Sequence, residues 1–279
     1  MNITARTRVL TILGDPVGHS ASPPIQNAAF QAAGVDGVYV AVRCAKDDLD
    51  GFMRGLARAG GGGNVTLPHK EKAASILDVR SEAVRRTGAC NTFWGGPRGK
   101  LHGDNTDVEG FRRALSAFLE GSPKGIRALL LGAGGAARAA LLGLLEEGAD
   151  QVLLFNRTTE RARAVARRIG GEKARVVPVI RELEGEDFDL VVNATRVGLD
   201  PQDPSPMDFH VLNRAGAAMD LVYADGATPF VRAAERLGIR ATDGVEMLVQ
   251  QAAASFERWW EEEAPVEAMR EVVESRHPV

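Results

Sequence analysis

Residues 126–147, IRALLLGAGGAARAALLGLLEE, run from an apolar segment through Gly132-Ala133-Gly134-Gly135-Ala136-Ala137 into an Ala/Leu-rich segment. The first part has the pattern of a buried parallel strand and the last that of a helix, so the glycine loop joins β to α. Gly132 permits a tight turn, Gly134 lets backbone approach a pyrophosphate, and Ala137 lets the helix pack closely. The helix N-terminus adds unbonded N–H groups and the positive end of its dipole. A mononucleotide-binding βαβ unit is expected here, although a glycine-rich turn without a ligand has the same local sequence.

Downstream, QVLLFN (151–156), a helix running to Gly170 and short strands near 175–179 and 188–193 continue the βαβ series. The strand after the glycine loop ends at Phe155-Asn156-Arg157-Thr158, where an NAD enzyme usually places an acid for the ribose 2'-hydroxyl. No acid stands there. Arg157, Thr158 and Arg161 instead offer donors suited to a 2'-phosphate, which favours NADP over NAD. Only six of the 34 Lys+Arg residues are lysine, so Arg161, like Arg163, Arg167 and Arg168, equally fits a solvated helix face.

Upstream, Val9–Leu13, Val38–Val42 and Asn64–Leu67 have strand pattern, with helices expected around 23–33 and 46–58. The glycine run at 60–63 is expected to give a tight entry into the third strand, which Pro68 ends. A helix over 107–120 is expected to be capped by Asn105 or Thr106, with Phe111, Leu115, Phe118 and Leu119 on one face. Polar residues gather where strands end: Ser20 and Ser22, then Asn64, Thr66 and Lys70, then Asn91 and Thr92, then Asp104, Asn105 and Asp107. Open parallel sheets bind ligands at that edge. Each of these residues also has a local reading as a helix cap, a turn residue or a first-turn acid.

The 279 residues are 44% hydrophobic and 25% charged, with 31 Gly and 13 Pro, which excludes disorder, collagen and coiled coil. A formal charge of -3 gives no basic field for nucleic acid or anionic membrane, so the expected partner is a small molecule. Cys44 and Cys90 are too few for a disulfide framework or a zinc site, no metal is expected, and a reducing compartment fits. The apolar stretch 126–145 is broken by Arg127, Arg138 and glycines, and the N-terminus lacks a signal-peptide core. A soluble, unprocessed, cytoplasmic chain is expected.

The polar segments and the glycine loop together resemble the shikimate dehydrogenase family over nearly the whole chain. The motifs occur in order: GDPVGHSASP (14–23), NVTLPHKEKA (64–73), GACNT (88–92), GDNTD (103–107), GAGGAAR (132–138), NRTTER (156–161), NATRVG (193–198), DLVY (220–223) with TPF (228–230), and DGVEMLVQQAA (243–253). The resemblance implies an α/β chain with a mainly parallel substrate domain, discontinuous over 1–106 and 245–279, and a Rossmann-type NADP domain over 107–244. The apolar helix Val245–Trp260 would return to the first domain. The implied reaction is reversible NADPH reduction of 3-dehydroshikimate to shikimate, in chorismate and aromatic amino acid biosynthesis.

By the same resemblance Ser20 and Ser22 hold the substrate carboxylate. Thr66, Asn91, Asp107, Tyr223 and Gln251 complete the substrate contacts, and Lys70 with Asp107 is catalytic. Gly132, Ala133, Gly134, Gly135 and Ala136 face the pyrophosphate, Asn156, Arg157, Thr158 and Arg161 the adenosine phosphate, and Leu221, Gly244 and Met247 the nicotinamide, with Glu82 nearby. His69 and Glu246 depart from the family's commonest residues, and Arg196 fits either a cofactor contact or a solvent-facing position. His69 alternates away from Lys70 in an extended segment. Relatives that accept quinate often have threonine for one serine, so the retained pair points to shikimate. The alternatives are a quinate/shikimate or aminoshikimate dehydrogenase, or a non-enzymatic NADP-binding regulator. The assembly is expected to be a monomer or homodimer.

In the reducing direction a carbonyl oxygen must receive a proton, which a lysine ammonium supplies and a neighbouring carboxylate orients. In oxidation a neutral lysine must take that proton, so oxidation is expected to accelerate toward alkaline pH.

Overall fold

The computed structural model describes residues 3–119, 121–200, 202–224 and 226–276. The chain begins β1 (Arg8–Gly14), α1 (Ser22–Ala33), β2 (Gly37–Arg43), α2 (Leu49–Arg58), β3 (Gly62–Val65), α3 (Lys70–Ile76), β4 (Val79–Arg80), α4 (Glu82–Thr87), β5 (Thr92–Gly95), β6 (Leu101–Asp104) and α5 (Thr106–Leu119). It continues β7 (Arg127–Leu131), α6 (Gly135–Glu146), β8 (Gln151–Phe155), α7 (Thr159–Val165), β9 (Ala174–Val177), β10 (Asp187–Asn193), β11 (Arg214–Asp220), α8 (Pro229–Glu235) and β12 (Arg240–Thr242). It closes with α9 (Val245–Trp260) and α10 (Val266–Arg276). These elements form two compact units: the residues up to Gly110 with Val249–Arg276, and Phe111–Leu248.

The first unit is built on a sheet of order β2-β1-β3-β5-β6-β4. β1 pairs in parallel with β2 and β3, whereas β5 runs antiparallel between β3 and β6. That reversal matters for function. The start of β5, where Asn91 sits, falls at the same sheet edge as the ends of β3 and β6.

Half of the glycine run is strand and half its entry: β3 begins at Gly62, two residues before the expected start, while Gly60, with φ +79°, turns the chain ahead of it. A Cβ on Gly61 would lie 2.1 Å from the Val9 carbonyl oxygen, and one on Gly63 would lie 2.2 Å from that of Thr11. No side chain fits between these backbones. β5 and β6 escape the periodicity reading because each is four residues long and broken by Gly or His.

Residues of α9 from Val249 onward belong to this first unit, and their packing is aromatic. Phe30 of α1 lies 6.0 Å from Phe256 and 5.4 Å from Trp260, while Tyr39 of β2 lies 5.9 Å from Trp259, all between ring centroids. The Arg8 guanidinium covers Trp260 at 4.3 Å, and Gln26 adds a polar tie, its Nε2 donating to the Ala252 carbonyl at 2.9 Å. Large buried aromatic area of this kind outweighs the entropy of ordering a terminal helix.

The second unit is a six-stranded sheet, β12-β11-β10-β7-β8-β9, parallel throughout. Ala128, Leu129, Leu130 and Leu131 of β7 are each at most 1% exposed, as a parallel strand covered on both faces requires. Strand order reverses direction at β7 and β10, the position where doubly wound sheets open for a ligand. β11, RAGAAMD, carries too little β-branched or aromatic character to announce itself, and its buried position between β10 and β12 makes it a strand. The helix expected to reach Gly170 is α up to Val165 and a π-turn from there to Gly170.

Candidate active site

In the first unit the chain leaves β3, turns through Thr66–His69 with the His69 N–H donating to the Thr66 carbonyl at 2.9 Å, and starts α3 at Lys70. Asp107 lies in the first turn of α5, where a carboxylate suits the helix dipole. Lys70 Nζ donates to Asp107 Oδ2 at 2.6 Å, and both side chains are largely buried, 19% and 9% exposed. Asn91 Nδ2 donates to the other carboxylate oxygen, Oδ1, at 2.8 Å. The carboxylate is thus held at both oxygens.

Asn91 is 2% exposed, and its amide has partners on both sides. Nδ2 also donates to Thr106 Oγ1 at 3.0 Å, while Oδ1 accepts from the Thr106 N–H at 2.8 Å and from Thr92 Oγ1 at 2.9 Å. The expected cap of α5 is therefore shared differently. Asn105 turns its Nδ2 to Thr87 Oγ1 at 3.0 Å, and the first helical N–H is satisfied by Asn91 from another segment.

Behind Asn91 the polar contacts continue into the interior. Thr92 Oγ1 and Ser255 Oγ lie 2.9 Å apart, Asn64 Nδ2 donates to both, and Tyr39 Oη donates to Asn64 Oδ1 at 2.7 Å. Burial pushes the Tyr39 phenol well above its ordinary range, and a hydrogen bond with Ser22 offsets part of that rise. Ser22 itself is the first residue of α1 rather than its cap, and its N–H donates to Ser20 Oγ at 3.2 Å. The chain of contacts runs from Tyr39 to Lys70. Sequence reasoning had no signal for Tyr39 and missed Ser255, whose hint is one hydroxyl within the apolar run AAASF.

The other expected residues of this unit are placed as follows. Thr66 is half-buried after β3, and its hydroxyl has no partner among the described residues. Gln251 lies on α9 where it crosses Gly110 of α5 so closely that a Cβ on the glycine would be 2.6 Å from Gln251 Cβ. Glu82 opens α4, exposed and paired with Arg85 at 2.8 Å. His69 Nε2 lies 2.7 Å from the Cys44 carbonyl oxygen in a buried setting, turned to the segment after β2.

In the second unit Gly132 has φ +114°, and a Cβ there would lie 2.7 Å from the Ala194 carbonyl oxygen, so only glycine fits. Gly134 is the N-cap of α6, and a Cβ there would meet nothing within 4 Å. The loop is thus tight on the protein side at Gly132 and open at Gly134, with no side chain capping the helix. Arg157 and Arg161 are exposed and have no side-chain partner among the described residues, while Arg163 pairs with Glu160 at 2.6 Å. Asn156 donates to the Thr158 carbonyl at 2.8 Å, shaping the turn that presents both. An open anion-binding helix end with two unpaired guanidinium groups fits a dinucleotide carrying an additional phosphate. Arg196 is exposed after β10, in the turn that touches Gly132 through Ala194.

Leu221, Tyr223 and Gly244 cluster at the ends of β11 and β12. A Cβ on Gly244 would be 2.5 Å from the Leu221 carbonyl oxygen, and the Gly244 N–H donates to the Val222 carbonyl at 2.9 Å. Met247, in the first turn of α9, is 7% exposed, and burial raises the Tyr223 phenol. The 221–223 segment hangs on Asp220, which accepts from Val222 N–H at 3.0 Å, Asn193 Nδ2 at 2.8 Å and Thr228 Oγ1 at 2.6 Å. Burial pushes its carboxyl up to about 6, against those three bonds and with Asp243 adding repulsion. An acid inside the apolar run AAMDLV is the sequence signal for it.

A doubly wound sheet with an open glycine loop, in a chain that also buries a lysine–carboxylate pair, has the make-up of a nicotinamide-dependent oxidoreductase. Residues 12–93 match the shikimate dehydrogenase substrate binding domain, 115–198 the shikimate / quinate 5-dehydrogenase family, and 244–274 the shikimate 5'-dehydrogenase C-terminal domain. The chain is 41% identical to a shikimate dehydrogenase (NADP(+)) of Methanopyrus kandleri, over 98% of this chain and 97% of that protein. It is 40% identical to one of Geobacter metallireducens, over 97% of both. The shikimate 5-dehydrogenase of Thermus thermophilus, solved in complex with NADP(H) and shikimate, superposes with TM-score 0.86 and 40% identity over 96% of this chain and 98% of that one. The chain belongs to the shikimate dehydrogenase family.

Proposed function

We propose that this chain is an NADP-dependent shikimate dehydrogenase, interconverting 3-dehydroshikimate and shikimate on the route to chorismate and the aromatic amino acids. The Lys70–Asp107 pair carries the reading. Burying two charges gives little net stability, so a pair this enclosed is better explained by the chemistry it performs. Lys70 donates the proton to the substrate's carbonyl oxygen and takes it back in oxidation, while Asp107 keeps the ammonium aimed and binds a ring hydroxyl. Ser20 and Ser22 receive the carboxylate through neutral hydroxyl donors, and Thr66, Tyr223 and Gln251 complete the contacts. Asn91 acts chiefly by holding Asp107.

Gly132 to Ala136 hold the pyrophosphate, Asn156, Arg157, Thr158 and Arg161 the adenosine phosphate, and Leu221, Gly244 and Met247 the nicotinamide, with Glu82 as an additional contact. Bound NADPH supplies the hydride. No helix among the described residues is long and apolar enough to cross a membrane. The reading takes the enzyme as cytoplasmic, acting on small molecules as a monomer or homodimer. The domain roles follow the two units, the first for substrate and the second for NADP.

The test is absorbance at about 340 nm, where reduced nicotinamide absorbs, with shikimate and NADP beside quinate and NAD. Turnover confined to shikimate and NADP supports the reading. Comparable kcat/KM with quinate or NAD replaces it with a broad-specificity quinate/shikimate dehydrogenase, and NADP binding without turnover replaces it with a regulator.

A further inference from the structure

We propose that Thr92 is a positioning residue of the acid–base pair: its buried hydroxyl fixes the amide orientation of Asn91, and through it the carboxylate of Asp107. The inference rests on the reading of Lys70 and Asp107 given above. Thr92 is fully buried, and its Oγ1 lies within 3.0 Å of four side chains: Asn64 Nδ2, Asn91 Oδ1, Thr106 Oγ1 and Ser255 Oγ. A hydroxyl has one hydrogen to give, so the count of donors decides where it points.

The shortest contacts favour one direction. Tyr39 donates to Asn64 Oδ1, which turns the Asn64 amide nitrogen toward Thr92, Ser255 and the Asn91 carbonyl, where its two hydrogens are shared among three acceptors. Ser255 gives its own hydrogen to the Gln251 carbonyl at 2.9 Å and can only accept from the others. Thr106 Oγ1 accepts from Asn91 Nδ2, and its own hydrogen has two acceptors, Ser255 Oγ at 2.9 Å and Asn91 Oδ1 at 3.1 Å, of which the nearer is Ser255. Thr92 then accepts from Asn64 and donates to Asn91 Oδ1.

This bond matters because an amide has two faces of opposite polarity. Flipped, Asn91 would set its oxygen against the Asp107 carboxylate, two acceptors at 2.8 Å, and would leave the Asp107 oxygen without its donor. Thr92 and the Thr106 N–H together supply donors that hold the oxygen inward. The Thr92 hydroxyl bonds to neither Lys70 nor Asp107, so its effect on chemistry passes through Asn91.

Thr92→Val keeps the shape and deletes the hydroxyl. We expect kcat for shikimate oxidation to fall roughly tenfold, the size of one lost buried hydrogen bond. The pH–rate profile should shift, KM for NADP should stay within about twofold, and Thr92→Ser should restore most of kcat. If Thr92→Val does not fold, Thr92→Ser against Thr92→Ala makes the same comparison, since both lose the methyl and one keeps the hydroxyl. A kcat and pH profile unchanged in the variant lacking the hydroxyl overturn the inference, as does a serine variant as slow as it. Wild-type chain without turnover overturns the acid–base reading and this inference together, whereas an active wild type confines any failure to Thr92.

Discussion

Lys70 and Asp107 are 37 residues apart in the chain, yet Nζ and Oδ2 meet at 2.6 Å across the edge formed by the end of β3 and the start of α5. Asp107 has its second oxygen tied to Asn91, so the ammonium is aimed by a carboxylate that cannot itself turn. Preorganisation of this kind fixes the proton donor before substrate arrives.

Replacing Lys70 with alanine should lower kcat by roughly 10²- to 10⁴-fold, the range for loss of a general acid–base group, with a much smaller rise in KM. Steady-state kinetics with shikimate check it. An unchanged kcat removes Lys70 from the chemistry.

Asp107→Asn keeps the shape but leaves the enclosed ammonium without its counter-charge. Losses in both turnover and substrate affinity are expected, and shikimate binding by calorimetry separates the two. Kinetics near those of wild type would reduce Asp107 to a first-turn helix acid.

Gly132→Ala and Gly134→Ala should part company. The first combines φ +114° with a 2.7 Å approach to backbone and should destabilise the fold by about 1–3 kcal/mol. The second adds a methyl into open space, so stability should stay within about 1 kcal/mol while KM for NADP rises. Denaturant melts and NADP titrations of both variants give the answer; equal melting losses would contradict the loop geometry.

Arg157→Ala or Arg161→Ala should raise KM for NADP roughly tenfold while barely altering KM for NAD, because each would remove a charge-assisted bond to the additional phosphate. The effect should shrink with added salt. Equal losses with both cofactors would place these arginines elsewhere than at the 2'-phosphate.

Asp220 makes stability depend on pH. Its folded value of about 6 lies above the ordinary 3.8, so between those values the folded chain holds a proton that the unfolded chain has released. Stability from this group is full below the unfolded value and is lost as pH rises through the folded one, at about 1.4 kcal/mol per pH unit within the window. Asp220→Asn should lack that slope. Urea unfolding of both chains from about pH 4 to 7 tests it, and parallel slopes would show that Asp220 is ionised in the fold throughout.

Much of this was legible from the sequence. The run ALLLG before a glycine loop and an Ala/Leu helix specifies strand, turn and helix by local chemistry: apolar periodicity, the conformational freedom of Gly132 and the small side chains behind it. The ordered motifs identified the family, and Lys70, Asp107 and Asn91 were named from them. Such features survive in sequence because each depends on residues a few positions apart.

What tertiary structure alone decided depends on residues brought together from far apart. The reversal of β5 puts Asn91 at the edge that receives Lys70 and Asp107, and the packing of Phe256, Trp259 and Trp260 carries Ser255 to Thr92, 163 residues earlier. That Gly62 and Gly63 lie within the strand is not legible locally, because what requires glycine at 61–63, the backbone of β1 against Gly61 and Gly63 and of β5 against Gly62, comes from distant segments. Hydrogen-bond direction is likewise a property of the whole network: Asn91 presents one N–H to Asp107 and the other to Thr106 Oγ1 because donors from Thr92 and the Thr106 N–H face its oxygen, and no local pattern encodes that choice.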